Sequence, residues 1–435
     1  MMRLILILTI MYLLLVIGSE YYLRMGNVKV LTDFGTFYAS IKSFLSHQVL
    51  YRDTLGLFIT DNKPLPNLNS PVFLLVLVPL AVLSYPHAFL VWTLLSVFSL
   101  FFSLMIICRE LHFNTNQTLL ALIAALCVFP TCSTLWFGQV SWQLNLMLVI
   151  AWYCLRQQKN IAAGLVFGFL LSLKYFFGIF FLYFLCLRRF KGLSAMLLSF
   201  LGFNFIALYI MGWSSYQDYF HILNNIKWYN STYNLSFYGE FLRLFSHQGG
   251  NKALYHSPLL VKILTQVSIG LMTLSALLFY KFKQKKNYFF NDLFFSYLIV
   301  AMLLISPLGW EYYLVFLSMP IILLIQICTI QRVDFKWQCF IAMVLALILL
   351  PVPGYINGEI NSYVKLFRSS IVFLDLILFA VSLWHIGGAK LLIKTPIQII
   401  LTPFWQVVFY LGIMLPALMV FVYGLKHSLK LILSS

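Results

Sequence analysis

Residues 31–52 read LTDFGTFYASIKSFLSHQVLYR. This stretch decides how the chain is read, because it puts a carboxylate and several polar side chains directly after a first hydrophobic segment. Phe34, Phe37, Tyr38, Ile41, Phe44 and Leu45 fall at the i, i+3, i+4 spacing of one apolar face, which predicts an amphipathic helix lying in the membrane interface. Asp33 opens that helix. Asp is a preferred N-cap residue, and a cap needs no chemistry. An ionisable group within about ten residues of a membrane-spanning end also tends to be functional. The two roles are compatible, and the stretch alone leaves both open.

Working outward, the 435 residues are 62% hydrophobic and 9% charged, with a mean hydropathy of +0.92. Apolar runs this long and frequent exclude a soluble multidomain protein and predict an all-α polytopic membrane protein. The formal charge of +17 would suggest nucleic acid in a soluble chain. Here anionic headgroups and loop topology account for it, and no nucleic-acid partner is expected. The 7 cysteines lie mostly in or beside apolar runs without CxxC pairing, and read as small core residues. Residues 1–24 resemble a signal peptide but lack a small-x-small cleavage site, so 4–22 is expected to remain as the first span.

The runs 4–22, 86–108, 117–133, 140–155, 160–174, 175–188, 193–212, 258–281, 289–306, 312–331, 336–352, 369–386 and 399–425 make about 13 expected transmembrane helices. Those at 140–155, 160–174 and 175–188 are short, and are expected to be tilted, broken or half-buried. Residues 71–83, PVFLLVLVPLAVL, are left as a re-entrant or interfacial helix, because a full crossing there would put Arg109 and Arg156 on opposite faces. Basic residues cluster in the short connections: Arg109, Arg156, Lys159, Arg188, Arg189, Lys191, the KFKQKK run at 281–286, Arg332, Lys336, Lys390 and Lys394. That places these connections inside and the long loops 23–85 and 213–257 outside. Most acids, among them Glu20, Asp33, Asp53, Asp61, Asp218, Glu240, Glu311 and Glu359, then fall on the outer face. Chemistry is expected there.

Four further places gather polar groups at outer helix ends. Gln139, Gln143 and Asn145 open the fourth span, where amides also serve to satisfy backbone groups. Lys174 stands between two apolar runs, either snorkelling to the headgroups or binding an anion. The loop 227–241, KWYNSTYNLSFYGEF, carries Trp228 and Asn230 in a composition suited to sugars, with amides for hydroxyls and ring faces for C–H surfaces. In SPLGWEYY, residues 306–313, Trp310 and Tyr312 fit an aromatic belt, but Glu311 does not. No DxD, HExxH, Walker or GxSxG motif occurs, so no metal ligand is assigned and no cofactor is expected.

These stretches together resemble the multispan C-type glycosyltransferases, and among them family 87, the polyprenyl-phosphate-sugar-dependent mannosyltransferase-like proteins. The resemblance runs over about residues 1–331. It is carried by Asp33-Phe34 with Phe37-Tyr38, by Pro71 to Leu83, by Phe137-Gly138-Gln139-Val140 with Asn145, by Gly164 to Lys174, and by Ser306-Pro307 to Tyr313. It implies the C-type fold, a catalytic Asp in the first outer loop, here Asp33, and a lipid-phosphate donor bound from within the membrane. Two departures are present: Asn69-Ser70-Pro71 replaces the usual Tyr-Pro-Pro, and Glu311 stands where relatives often place His. Sugar and acceptor identity stay open.

The chemistry suits that resemblance. Sugar transfer from a polyprenyl phosphate needs a base for the acceptor hydroxyl and cations or donors for the departing phosphate. Asp33 can supply the first; Lys174, with Arg52, the second. One prominent carboxylate suits inverting transfer better than hydrolysis, which uses two. Candidate substrate-binding residues are therefore Tyr38, Arg52, Gln139, Asn145, Lys174, Trp228, Asn230, Trp310, Glu311 and Tyr312. The expected division is a catalytic module over 1–331 and C-terminal helices over 332–435. The acceptor would be a lipid-linked or cell-envelope glycan, and the location a multi-pass protein of the cell membrane, as in a bacterial inner membrane. The alternative is a transporter or flippase of lipid-linked saccharides, for which broken helices and internal repeats would speak; no repeat is present.

Overall fold

The computed structural model of the protein describes residues 33–51, 67–226, 228–247, 253–283, 289–330, 333–349 and 362–388. Arg52 and the expected spans 4–22 and 399–425 lie outside them. Among the described residues every regular element is helical, and a single isolated bridge pairs Asn234 with Trp310. The protein is an all-α polytopic membrane protein. Its residues fall into two compact units, one formed up to Phe102 and over Ser133–Ile226, the other over Ser103–Cys132 and from Lys227 onward.

The first unit begins with α1, Asp33–Leu45, which buries Phe34, Phe37, Tyr38 and Ile41 on the face the spacing predicts. Its end is closed by His47 at φ 56°, with Gln48 N donating back to Ser43 O at 2.8 Å. Next comes α2, Pro71–Leu77, where the Ser70 hydroxyl accepts from Phe73 N and Pro71 occupies the first turn. Pro79 turns the continuation into a 3-10 turn, Val78–Val82. These twelve or so residues rise about 18 Å, too little to cross a hydrocarbon core of roughly 30 Å.

Helix α3, Tyr85–Glu110, is long enough to cross. The following run breaks at Val128 into α4, Thr115–Cys127, and α5, Phe129–Phe137, with Pro130 directly after the break. Helices α6, Ser141–Arg156, α7, Asn160–Leu173, and α8, Phe180–Cys186, complete the short set, α7 and α8 being separated by Lys174 and a 3-10 turn, Tyr175–Ile179. The 35-residue α9, Phe190–Asn224, contains a break at Gly212 (φ 79°, ψ 163°), a conformation an L side chain would strain. Small residues let α7 lie close against α9: a Cβ on Gly164 would overlap the Gly192 carbonyl oxygen, and one on Gly168 the Met196 carbonyl oxygen.

The second unit holds α10, Phe237–Phe245, α11, Pro258–Lys283, α12, Phe290–Ile305, a 3-10 stretch Glu311–Leu317 running into α13, Ser318–Ile330, then α14, Phe335–Leu349, and α15, Ser362–Gly388. Among the described residues, 5 helical stretches are long and apolar enough to cross a membrane, and up to 6 if α4 and α5 count as one broken span. The runs 160–174, 175–188, 289–306 and 336–352 give shorter apolar helices, the first two because the backbone breaks at Lys174. Bare apolar surface marks lipid contact: on α9, Leu198, Phe205 and Tyr209 are 69%, 68% and 84% exposed.

Candidate active site

The first unit brings three of the sequence candidates together. The Gln139 Nε2 donates to Asp33 Oδ2 at 2.5 Å, and the Lys174 charge lies near enough to favour the Asp33 carboxylate. Burial dominates over both and pushes the Asp33 carboxyl up from 3.8 to about 6, the amide and the ammonium each pulling it back. A carboxylate there is a base poised just below neutral pH. Asp33 retains some exposed surface, as does Lys174. The carboxylate is thus turned onto Gln139, while the Asp33 carbonyl accepts from Thr36 Oγ1 at 2.8 Å within the first turn of α1.

Two backbone devices aim these groups. Helix α5 ends in a Schellman turn: Gly138, at φ 65°, sends its N–H to Leu135 O, and Gln139 N donates to Thr134 O at 2.8 Å. That turn fixes where the Gln139 side chain starts. Lys174 closes α7 with its N–H on Leu170 O, then takes an extended conformation (φ −145°, ψ 117°) before the 3-10 turn. An extended residue between two helices throws its side chain off both helix surfaces.

An aromatic box holds the residues next door. The Phe34 ring meets Tyr85 at 6.1 Å, Phe89 at 5.7 Å and Trp92 at 5.6 Å between centroids. Trp92 Nε1 donates to Gly138 O at 2.8 Å, and a Cβ on Gly138 would come within 2.6 Å of Phe34 Cβ. Phe34 is therefore seated on Gly138 just as Asp33 is bonded to Gln139, so the two dipeptides dock as a pair. Sequence reading singled out the 137–140 stretch but missed the part Gly138 plays in it, Trp92 and this docking. The Gly before Gln139 was the one available sign, since αL helix ends favour Gly.

The other first-unit candidates are placed less openly. Tyr38 is buried and donates its hydroxyl to Leu83 O at 2.6 Å. Asn145 is fully buried in α6, and Gln143 bonds Ser96 Oγ at 2.8 Å, which fits the structural role open to helix-end amides.

Trp228, Asn230, Trp310, Glu311 and Tyr312 belong to the second unit. There the two candidate loops are knitted together by Asn234: its Nδ2 donates to Tyr229 O and Pro307 O at 2.8 and 2.9 Å, and its Oδ1 accepts from Gly309 N at 2.9 Å. Leu235 N bonds Gly309 O and Glu311 N bonds Tyr233 O. Trp228, Trp310 and Tyr312 are half-buried, whereas Asn230 and Glu311 are buried. Behind the loop lies a buried pair the sequence reading did not draw out. Arg243 bonds Glu240 Oε2 at 2.5 Å and the Ser231 and Asn234 carbonyls at 2.6 and 2.8 Å, while Ser370 Oγ bonds Glu240 Oε1. The i, i+3 spacing of opposite charges was its sign.

Comparison with known proteins gives one family. A model described as Glycosyltransferase family 87 matches residues 67–307, more than half of the chain, taking in Gln139, Lys174 and the 227–241 loop and beginning after Asp33. No curated protein matches the chain. With an all-α membrane fold and that match, the chain belongs to glycosyltransferase family 87.

Proposed function

We propose that this membrane glycosyltransferase moves a sugar, mannose or another hexose or pentose, from a polyprenyl-phosphate donor to a lipid-linked or cell-envelope glycan on the outer face, with inversion and with Asp33 as base. The observation that carries the reading is the Asp33 carboxylate, buried enough to titrate near 6, bonded to Gln139 and biased by the Lys174 charge.

In the step proposed, the acceptor hydroxyl gives its proton to Asp33 as its oxygen attacks the anomeric carbon, and the bond from that carbon to the phosphate oxygen breaks with its electron pair going to the phosphate. Lys174, joined by Arg52 from the first loop, offsets the charge that gathers on the leaving group. A single base suffices because the phosphate leaves as an anion without protonation. Gln139 takes the part of a positioning residue for Asp33, since its Nε2 donates to the carboxylate. Trp228, Asn230, Trp310, Glu311 and Tyr312 are proposed to receive the sugar or acceptor, on the composition of their loops, and the catalytic module is taken as 1–331.

The test is to incubate the purified full chain with radiolabelled polyprenyl-phosphate mannose, and with the corresponding glucose and pentose donors, in the presence of membrane lipid extract as acceptor source. Donor-dependent labelling of a lipid or glycan fraction, lost in Asp33→Asn, is expected. Transfer from a nucleotide sugar with none from any lipid-linked donor would overturn the donor assignment.

A further inference from the structure

The end of α7, two residues before Lys174, is held by a polar network that no functional assignment above uses. The last carbonyls of a helix lack partners within it, and at the end of α7 the Ser70 hydroxyl supplies one, donating to Ser172 O at 2.6 Å. The same hydroxyl accepts from Phe73 N at 3.2 Å, so one side chain caps the start of α2 and the end of α7 together. Ser172 is gripped from its other side too. Its hydroxyl donates to Gly168 O at 2.9 Å and accepts from Asn204 Nδ2 on α9 at 3.2 Å. Asn204 also donates to Phe200 O at 2.8 Å, and its Oδ1 accepts from the Tyr216 hydroxyl at 3.0 Å, from beyond the Gly212 break.

Gly164, Gly168 and Ser172 recur every four residues, so they share the face of α7 that lies against α9. The close approach allowed by the two glycines is what lets Asn204 reach Ser172. Ser172 and Asn204 are both otherwise satisfied within the unit, and the residue their bonds restrain lies two positions on, where the backbone turns extended.

We propose that Ser172 and Asn204 are positioning residues for Lys174, clamping the end of α7 with Ser70 so that the ammonium is held toward Asp33. This rests on the reading of Lys174 as the donor-phosphate cation, and it extends the site to two residues that never meet substrate. Tyr216 ties the clamp to the segment after Gly212, which leads into the outer loop 227–241.

The test reads Asp33 directly and needs no substrate. The carboxyl band of Asp33, assigned by subtraction of Asp33→Asn, is titrated by infrared difference spectroscopy on the purified full chain. Lys174→Met should raise the midpoint above the wild-type value near 6, because the favouring charge is gone. Ser172→Ala and Asn204→Leu should raise it in the same direction, by about half a unit or ~3-fold in proton affinity, and should add nothing in the Lys174→Met background. Ser70→Thr, which keeps a hydroxyl, should stay near wild type where Ser70→Ala moves. A purely structural network would lower the melting temperature of these variants and leave the midpoint in place, and that result overturns the proposal. So does a midpoint indifferent to Lys174→Met. Absence of transfer from lipid-linked donors, by contrast, would strike the proposed function and leave these titrations standing.

Discussion

Gln139 Nε2 and Asp33 Oδ2 meet at 2.5 Å across 106 positions of sequence, one from the turn that ends α5, the other from the first turn of α1. The bond makes the amide a fixture of the carboxylate, and in the proposed transfer it is the other oxygen that takes the acceptor proton. Asp33→Asn keeps the shape and loses the basicity. Turnover is expected to fall about 10²- to 10⁴-fold in an assay of purified protein, with the fold retained. A folded Asp33→Asn protein with wild-type turnover would return Asp33 to a capping role.

Stability should respond in the opposite sense. The folded-state pKa of Asp33 lies above its ordinary value, so the protonated form favours the fold. This contribution is complete below about pH 4 and is lost as pH rises through about 6. Asp33→Asn, neutral throughout, should therefore be more stable than wild type at pH 8, by at most about 3 kcal/mol, and no more stable at pH 4. Melting curves at the two pH values decide it.

The acid limb of kcat/KM is expected near pH 6, activity falling as the pH drops and Asp33 takes its proton. Removing the Lys174 charge withdraws a stabiliser of the carboxylate. Lys174→Met should move that limb to higher pH as well as weakening donor use. A profile unchanged in position, with only KM affected, would separate the cation from the base.

Gly138→Ala tests the docking of the two dipeptides. The added Cβ faces Phe34 Cβ at 2.6 Å, and the backbone stands at φ 65°. A cost of about 1–3 kcal/mol in stability is expected, with turnover lost beyond what unfolding explains because Gln139 shifts off Asp33. Thermal melts run beside the transfer assay separate the two, and Ala tolerated in both would show that the turn has room.

In the second unit, Arg243 is buried among Glu240 Oε2 and two carbonyls. Arg243→Met leaves Glu240 buried without its cation, and should destabilise by about 3–5 kcal/mol. Glu240→Gln with Arg243→Met together should recover part of that. Equal melting temperatures for wild type and Arg243→Met would show that water reaches the pair.

The fold class was legible because hydrophobic run length is a local property, and Tyr85–Glu110 can be read without knowing any neighbour. The amphipathic face of α1 was legible for the same reason, since Phe34, Phe37, Tyr38 and Ile41 share a period. Asp33 and Lys174 stood out as charges in apolar surroundings. What joins them was not visible. The Gln139 bond spans two helices, the Trp92–Gly138 bond rests on a left-handed turn, and the Ser70–Ser172–Asn204 series links serines and an amide that look ordinary one at a time. Polar partners within a membrane fold are set by tertiary approach, which a single sequence encodes only through small residues such as Gly164 and Gly168.

The break at Lys174 also bears on the lipid around it. The 14 residues of α7 rise about 21 Å, against a hydrocarbon core of roughly 30 Å. A helix of that length falls several ångströms short of a full crossing, and mismatch of that kind is relieved by a thinner leaflet or by water drawn down beside it. A cation at the end of such a helix needs no long reach to find an anionic headgroup. In the proposed transfer, a lipid carrying its sugar on a phosphate would then bring the charged end to Lys174 without pulling its isoprenoid chain out of the membrane.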